Sequence, residues 1–321
     1  MNEVLPTAYE KKYPILLLIF AVFFVLIISS GSEFSQVSKR QLKNKGEIAD
    51  QSQKELDKAA KLKVKTRNKY ATFYKRDGKL WDKKTLVEKV TFGTNGLCKE
   101  HIMYSSLGAI NSKFTYTYDA MGNMISSTTF DSQKKTKATR ESVFDKNGNE
   151  IERKIDDGKN PGFTKMLFTY DTDGNLIETK IISKDNQVTA IQTISYVNGL
   201  KNKVISKDAN SKVAEEINAS YDASGRLVIE EKKNGSGSVV TKYKYDNNGN
   251  MIEMANNQWK RYMSYNTNGD LLEDKLYLPD GSRQFRVCFN YNSNRLQNEE
   301  IRYDTQDKPA FYTKYVYEFY K

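Results

Sequence analysis

From residue 71 onward, apolar and polar residues alternate with a period of two. Phe114, Tyr116 and Tyr118 fall on one face while Thr115 and Thr117 take the other, and Met166, Phe168 and Tyr170 repeat the pattern, as do Phe285, Val287, Phe289 and Tyr291. Such alternation predicts antiparallel strands with one apolar and one wet face. A strand-ending aromatic recurs at Phe92, Tyr118, Phe144, Tyr170, Tyr196, Tyr221, Tyr245, Tyr265 and Tyr291, at steps of 20–26 residues. Between these lie further turn signals: DSQKKTK from Asp131, SKDNQ from Ser183, SKDAN from Ser206 and KNGSGS from Lys233. Each period therefore holds two strands and two turns, and nine periods predict roughly eighteen strands in an up-and-down meander. The expected fold class is all-β, with tandem β-hairpin repeats forming a curved antiparallel sheet over residues 71–321. Open sheets of more than about ten strands tend to curl, so strong curvature with the aromatic face inside is expected, in an open form with almost no helix.

The pattern upstream is different. Residues 14–28 read PILLLIFAVFFVLII, preceded by Lys11 and Lys12 and followed by Ser29, Ser30, Gly31 and Ser32. A positive flank, an apolar core and small residues make a secretory signal. Residues 1–30 thus read as a hydrophobic helix, either a cleaved signal peptide or an uncleaved signal-anchor that would hold the chain to a membrane. The core length and the small residues fit cleavage; the strong apolarity tips the reading toward the anchor. No cysteine follows the core, which argues against lipoprotein attachment. Residues 31–70 are polar and basic, with apolar residues too irregularly spaced for a coiled coil. They read as a linker or stalk, with a solvated helix over residues 48–64.

Nearly every repeated aromatic opens a turn: YDAMGNM from Tyr118, FDKNGNE from Phe144, YDTDGNL from Tyr170, YDASGRL from Tyr221 and YDNNGNM from Tyr245. Asp119, Asp145, Asp171, Asp222 and Asp246 stand where a side chain accepts backbone N–H bonds and starts a type I turn. Gly122, Gly148, Gly174, Gly225 and Gly249 follow three residues later, where a left-handed residue closes a hairpin with a bulge. The motif predicts structural turn residues. A calcium loop needs a longer ligand series ending in a bidentate carboxylate, so no metal site is expected here.

The pattern Y-D-x-x-G-N-L-I, seen best in FTYDTDGNLIETK from Phe168, resembles the YD repeat of Rhs-family and teneurin-type cell-surface proteins. The resemblance runs from about Phe92 to the C-terminus. It implies a long, spiralling β-sheet, which in some members becomes a shell enclosing a toxin. This chain has too few repeats for a large shell of that kind. It also has no counterpart of the terminal core motif and toxin domain, so the toxin role is not carried over.

Composition narrows the chemistry. Aromatics make up 12% of the chain, unlike a disordered sequence. Of the net charge of +11, residues 1–70 carry 13 Lys+Arg against 7 Asp+Glu, and residues 71–321 carry 38 against 33. The β-region lacks the basic excess of a nucleic-acid groove, so no nucleic-acid partner is expected. The single histidine, His101, belongs to no nucleophile motif. Cys98 and Cys288 match no disulfide framework or zinc spacing. In an open meander they lie too far apart to bond, so two free thiols are expected.

No cofactor and no catalytic residue stand out. The function expected is a non-catalytic, exported or membrane-anchored scaffold in the cell envelope, or secreted, that binds a protein or glycan partner. Two alternatives stand beside it: a glycan-acting hydrolase with carboxylates on the sheet, and a shortened encapsulation module of the Rhs type.

Overall fold

The computed structural model describes residues 57–133, 135–158 and 162–321. The hydrophobic segment over residues 14–28 and most of the expected linker lie outside them. Twenty strands follow one another: β1 (Val64–Phe73), β2 (Thr85–Phe92), β3 (Cys98–Tyr104), β4 (Ile110–Tyr118), β5 (Met124–Phe130), β6 (Thr136–Phe144), β7 (Glu150–Asp156), β8 (Thr164–Tyr170), β9 (Leu176–Ile182) and β10 (Val188–Val197). Then come β11 (Leu200–Asp208), β12 (Val213–Tyr221), β13 (Leu227–Asn234), β14 (Gly237–Tyr245), β15 (Met251–Ala255), β16 (Lys260–Tyr265), β17 (Leu271–Tyr277), β18 (Arg283–Tyr291), β19 (Gln297–Tyr303) and β20 (Pro309–Phe319). Each pairs antiparallel with the next.

The expected open sheet is not what forms. β1 pairs with β20 from Val64 opposite Phe319 to Phe73 opposite Phe311, and it pairs with β2 on its other side. The twenty strands therefore close into a barrel with no free edge. Closure satisfies the edge N–H and C=O groups that an open sheet would leave as a template for aggregation. The strand that completes the ring starts at Val64, inside the stretch read as polar linker. Its Lys65, Arg67 and Lys69 made it look solvated. In the fold Arg67 and Lys69 point to the inside, where neighbouring strands supply Glu88 and Glu300.

Cross-strand partners in an antiparallel pair share a face, and the registers carry one face around the ring. Phe168 stands opposite Thr179, Thr179 opposite Gln192, and Gln192 opposite Ser206. At the seam Lys69 stands opposite Tyr315, and Glu300 opposite Thr313. This is the inner face, and the repeated aromatics lie on it. It is not uniformly packed. Phe92, Val64, Val90, Leu296 and Thr313 are fully buried, close to the closure, whereas Met166, Phe168 and Tyr170 on β8 are only half-buried.

The helical content among the described residues is one short stretch, residues 57–61, just ahead of β1. Ala59 in it is buried, while Asp57 and Lys61 are exposed; the rest of the helix expected over residues 48–64 falls mostly outside the described residues. The long β1–β2 loop folds back over the outer wall, where Thr72 Oγ1 donates to the carbonyls of Trp81 and Lys83.

Closure does not join the cysteines. Both are free, Cys98 buried and Cys288 half-buried. Across the seam, β2, β1, β20 and β19 still separate β3 from β18. Strands sit about 4.8 Å apart, so five steps put the two near 24 Å apart along the wall, beyond the ~7 Å that a disulfide allows. The free thiols expected are present, but in a closed ring: closure brings together β1 and β20, which hold no cysteine.

Candidate functional site: the stapled turn rim and the charged seam

All aromatic–Asp turns lie at one end of the barrel, because the strands alternate in direction. Their geometry is uniform. Asp119 Oδ1 accepts from the backbone N–H of Met121 and of Asn123, each at 2.9 Å, while Asn123 Nδ2 donates to Oδ2. The Gly122 N–H donates to the Asp119 carbonyl, which closes a type I turn, and Gly122 has φ +87°. Asp145 with Gly148, Asp171 with Gly174 and Asp246 with Gly249 do the same. In the turn of Asp222 and Gly225, Arg226 replaces the Asn and its Nε donates to Asp222 Oδ2 at 2.7 Å. The Asn175 amide holds the Asp171 carboxyl below the usual carboxylate range, outweighing a small cost of burial, and backbone N–H groups add to it. These carboxylate oxygens are occupied within their own turns.

The repeated aromatic has a second role that the sequence reading missed. The register shifts immediately before it, between Thr117 and Tyr118, Thr169 and Tyr170, and Lys244 and Tyr245. This bulge aims the ring at the neighbouring hairpin. There the tyrosine hydroxyl donates to a carbonyl at the start of the return strand of the previous repeat: Tyr118 to Cys98, Tyr170 to Glu150, Tyr196 to Leu176, Tyr221 to Lys201 and Tyr245 to Leu227. Tyr265 to Met251, Tyr291 to Leu271 and Tyr317 to Gln297 continue the series, all at 2.6–3.0 Å. Tyr320 crosses the closure and donates to the Phe92 carbonyl at 2.6 Å. The signal was present as the preference for Tyr over Phe at these positions.

Phe92 and Phe144 are the two phenylalanines of the series, and Phe144 has no hydroxyl to reach Met124. Phe144→Tyr is expected to add the missing staple and raise stability by about 0.5–1.5 kcal/mol, the net worth of one hydrogen bond. A urea titration that shows no gain, or a loss, would mean that the staple is not general.

Inside the wall at the seam sits a charged cluster. Arg67 Nη2 meets Glu88 Oε1 at 2.6 Å, and His101 Nε2 lies 3.5 Å from the same oxygen. Glu300 takes Arg302 Nε at 2.6 Å and the Tyr315 hydroxyl at 3.0 Å, with Lys69 Nζ at 3.7 Å. Burial alone would raise the Glu88 carboxyl, but Arg67, Lys69 and His101 outweigh it and bring it down to about 2. Glu300 reaches about 2 in the same way, through Lys69 and Arg302. Burial pushes His101 down and the Cys98 thiol up to about 12. The carboxylates are therefore charged, the thiol is protonated, and each carboxylate is paired with a cation. Among the described residues no group of His, Cys, Asp and Glu is placed to hold a metal ion.

The outer wall is also paired, at mid-height and in many repeats: Lys113 with Glu100, Lys180 with Glu178 at 3.0 Å, Lys203 with Glu216 at 3.2 Å, Lys244 with Glu253 at 2.9 Å, and Lys275 with Glu273 at 2.6 Å. A barrel that crosses a bilayer carries an apolar outer band about 25 Å tall, and a Lys or Arg at its midplane costs about 2–4 kcal/mol. This wall instead carries ion pairs at mid-height. No helix among the described residues is long and apolar enough to cross a membrane.

At the turn rim, residues Asp57, Lys58, Asn250, Asn268, Gly269, Asp270 and Arg295 line an open recess of about 320 Å³. Asp270 is 2% exposed and accepts from Lys58 Nζ at 2.8 Å and from Arg295 at 2.9 and 3.0 Å. Burial opposes its charge, but Arg295 and Lys58 hold its carboxyl at about 2.

No family model matches the chain. Over 218 residues it is 27% identical to the tRNA3(Ser)-specific nuclease WapA of Bacillus spizizenii, a match that takes in 63% of this chain and 8% of that protein. The chain thus corresponds to a small part of that relative's length. Among solved structures it is similar to the Photorhabdus luminescens Tc holotoxin pore, at 14% identity over 78% of this chain and 15% of that one, with a TM-score of 0.37. It is also similar to a porin-like protein from Bacteroides uniformis, at 10% identity over 80% of this chain and 97% of that one, again with a TM-score of 0.37. Taken with the repeat itself, the sequence likeness supports an Rhs-like repeat relationship, which is broader than the YD repeat named from the motif.

Proposed function

We propose that this chain is a non-catalytic shell or scaffold module, carried out of the cytoplasm by its N-terminal segment and offered to a protein or glycan partner in the cell envelope or outside it. The observation that supports this best is the closed, edgeless barrel whose charges are spent on one another. Glu88 and Glu300, both inside, lie near 2. A glycan-acting hydrolase needs one carboxyl raised so that it can donate a proton at neutral pH. Glu88 and Glu300 run the other way, and the hydrolase reading therefore has less support than the scaffold. Closure also lifts the encapsulation reading above an open display sheet. The segment over residues 14–28 supports export, and Lys11 and Lys12 would keep its N-terminus inside.

The test is to express the full chain in a bacterial host, fractionate the cells and treat intact cells or spheroplasts with protease, alongside a variant lacking residues 14–28. The expected result is a barrel in the membrane or secreted fraction that protease reaches from outside, and retention in the cytoplasm without the segment. A barrel that stays cytoplasmic and protected in the full chain would overturn the export reading. A glycan array probed with the purified full chain then separates the partner classes. Turnover of a glycan, in place of binding, would overturn the non-catalytic reading.

A further inference from the structure

The joint between β1 and β20 is the one place in the ring where neighbouring strands are not neighbours in sequence. Three sets of contacts cross or flank that joint at the turn rim. The Tyr320 hydroxyl reaches the Phe92 carbonyl. Residues 57–61 sit against the β2–β3 turn so closely that a Cβ at Gly96 would collide with Ala60. On the other side of the joint, Lys58 Nζ donates to Asp270 in the β16–β17 turn and, at 3.1 Å, to the Arg295 carbonyl in the β18–β19 turn, and lies 5.3 Å from the centre of the Tyr291 ring. One short turn of chain thus spans hairpins on both flanks of the seam.

The two turns that Lys58 grips are also those that depart from the repeat in a coordinated way. Where Asn123, Asn149, Asn175 and Asn250 close their turns, the corresponding residue is Asp270. Where Gly122, Gly148, Gly174 and Gly249 adopt a left-handed backbone, the corresponding residue is Arg295, at φ 60°. A non-glycine residue there is strained. The Arg295 side chain offsets that strain by binding both oxygens of Asp270 and, through Nη2, the Asn268 carbonyl at 2.6 Å. In the first turn Asn266 Nδ2 still donates to Asp270 Oδ2 at 3.2 Å, so the Asp–Asn pair of the repeat is kept in exchanged order while the charge moves to position 270, within reach of Lys58 and Arg295. Both departures serve to build an anionic seat for Lys58, held in place by Arg295.

We propose that residues 57–61 are a lock on the barrel seam: the chain entering the barrel bolts the β2–β3 hairpin to the β16–β19 hairpins, and the ring stays shut at β1–β20 while Lys58 is seated on Asp270. The segment that would tether the protein is then also the segment that controls its closure. Pulling or cutting the chain ahead of β1 would loosen the seam before the rest of the wall.

The test restores the repeat's own residues. In the full chain, Asp270→Asn, whose amide oxygen can still accept from Asn266, combined with Arg295→Gly removes the anionic seat and relieves the left-handed strain, so the two turns remain well formed. Lys58→Gln removes the bolt and leaves both turns unchanged. Hydrogen exchange by mass spectrometry is expected to show amides of β1 and β20 opening at least about tenfold faster in both variants, with β8–β9, on a distant part of the ring, unchanged. Unaltered exchange in β1 and β20 would overturn the proposal. So would acceleration spread evenly around the ring, which would mark general destabilisation and not a lock.

Discussion

Phe92→Ala is expected to cost about 3–5 kcal/mol, the range for truncating a fully buried phenylalanine. Phe92 is 1% exposed and ends β2 beside the closure. Its carbonyl accepts the Tyr320 hydroxyl across the joint. Val90 on the same strand and Val64 at the start of β1 are fully buried as well. Removing the ring would open a cavity where the barrel has least room to relax, because two strands from opposite ends of the chain meet there. Phe168→Ala provides the contrast. Phe168 belongs to the motif copy that matches the repeat best, yet it is only half-buried on β8, and its loss is expected to cost about 1–2 kcal/mol. Urea titrations of both variants decide the matter. Equal losses would mean that the core is spread evenly through the repeats and is not concentrated at the seam.

The same contrast shows what could be read from the chain and what could not. Period-two alternation and the Asp-x-x-Gly spacing are local signals, and they located strands such as β4, β8 and β18 and turns such as Asp119–Gly122 from the residues alone. Closure is not local. It depends on β1, whose alternating Lys65, Arg67 and Lys69 look like linker until Glu88 and Glu300, 21 and 231 residues from Arg67 and Lys69 respectively, are placed beside them. The hydroxyl staples were half legible: the repeated Tyr was visible, but its target is a backbone carbonyl one hairpin away and leaves no mark in the sequence. The Lys58 seat was legible only as two irregular copies, NTNGDL and NSNRL, whose departures make sense once residues 57–61 lie over them.

Replacing Glu300 with Gln is expected to destabilise the barrel by about 3–5 kcal/mol at pH 7, because it leaves buried cations without their counter-charge. Glu300 is 5% exposed on the inner face. It answers Lys69 from β1 and Arg302 from its own strand, and it accepts the Tyr315 hydroxyl from β20. A single carboxylate thus ties together the three strands that make the closure. The pH dependence follows from the sign of its shift. The folded carboxyl lies at about 2, below its ordinary value of 4.5. Its contribution is therefore complete above about pH 4.5 and is lost as the pH falls toward 2. Glu88, lowered to the same degree by Arg67 and Lys69, adds to that acid sensitivity. The stability gap between the parent chain and Glu300→Gln should be widest at neutral pH. It should narrow through the window from 4.5 to 2, as protonation makes the parent's carboxyl as neutral as the amide. Paired denaturant titrations at several pH values would measure it. A gap that is small at pH 7, or that stays constant as the acid is titrated, would show that the buried charges do not hold the seam.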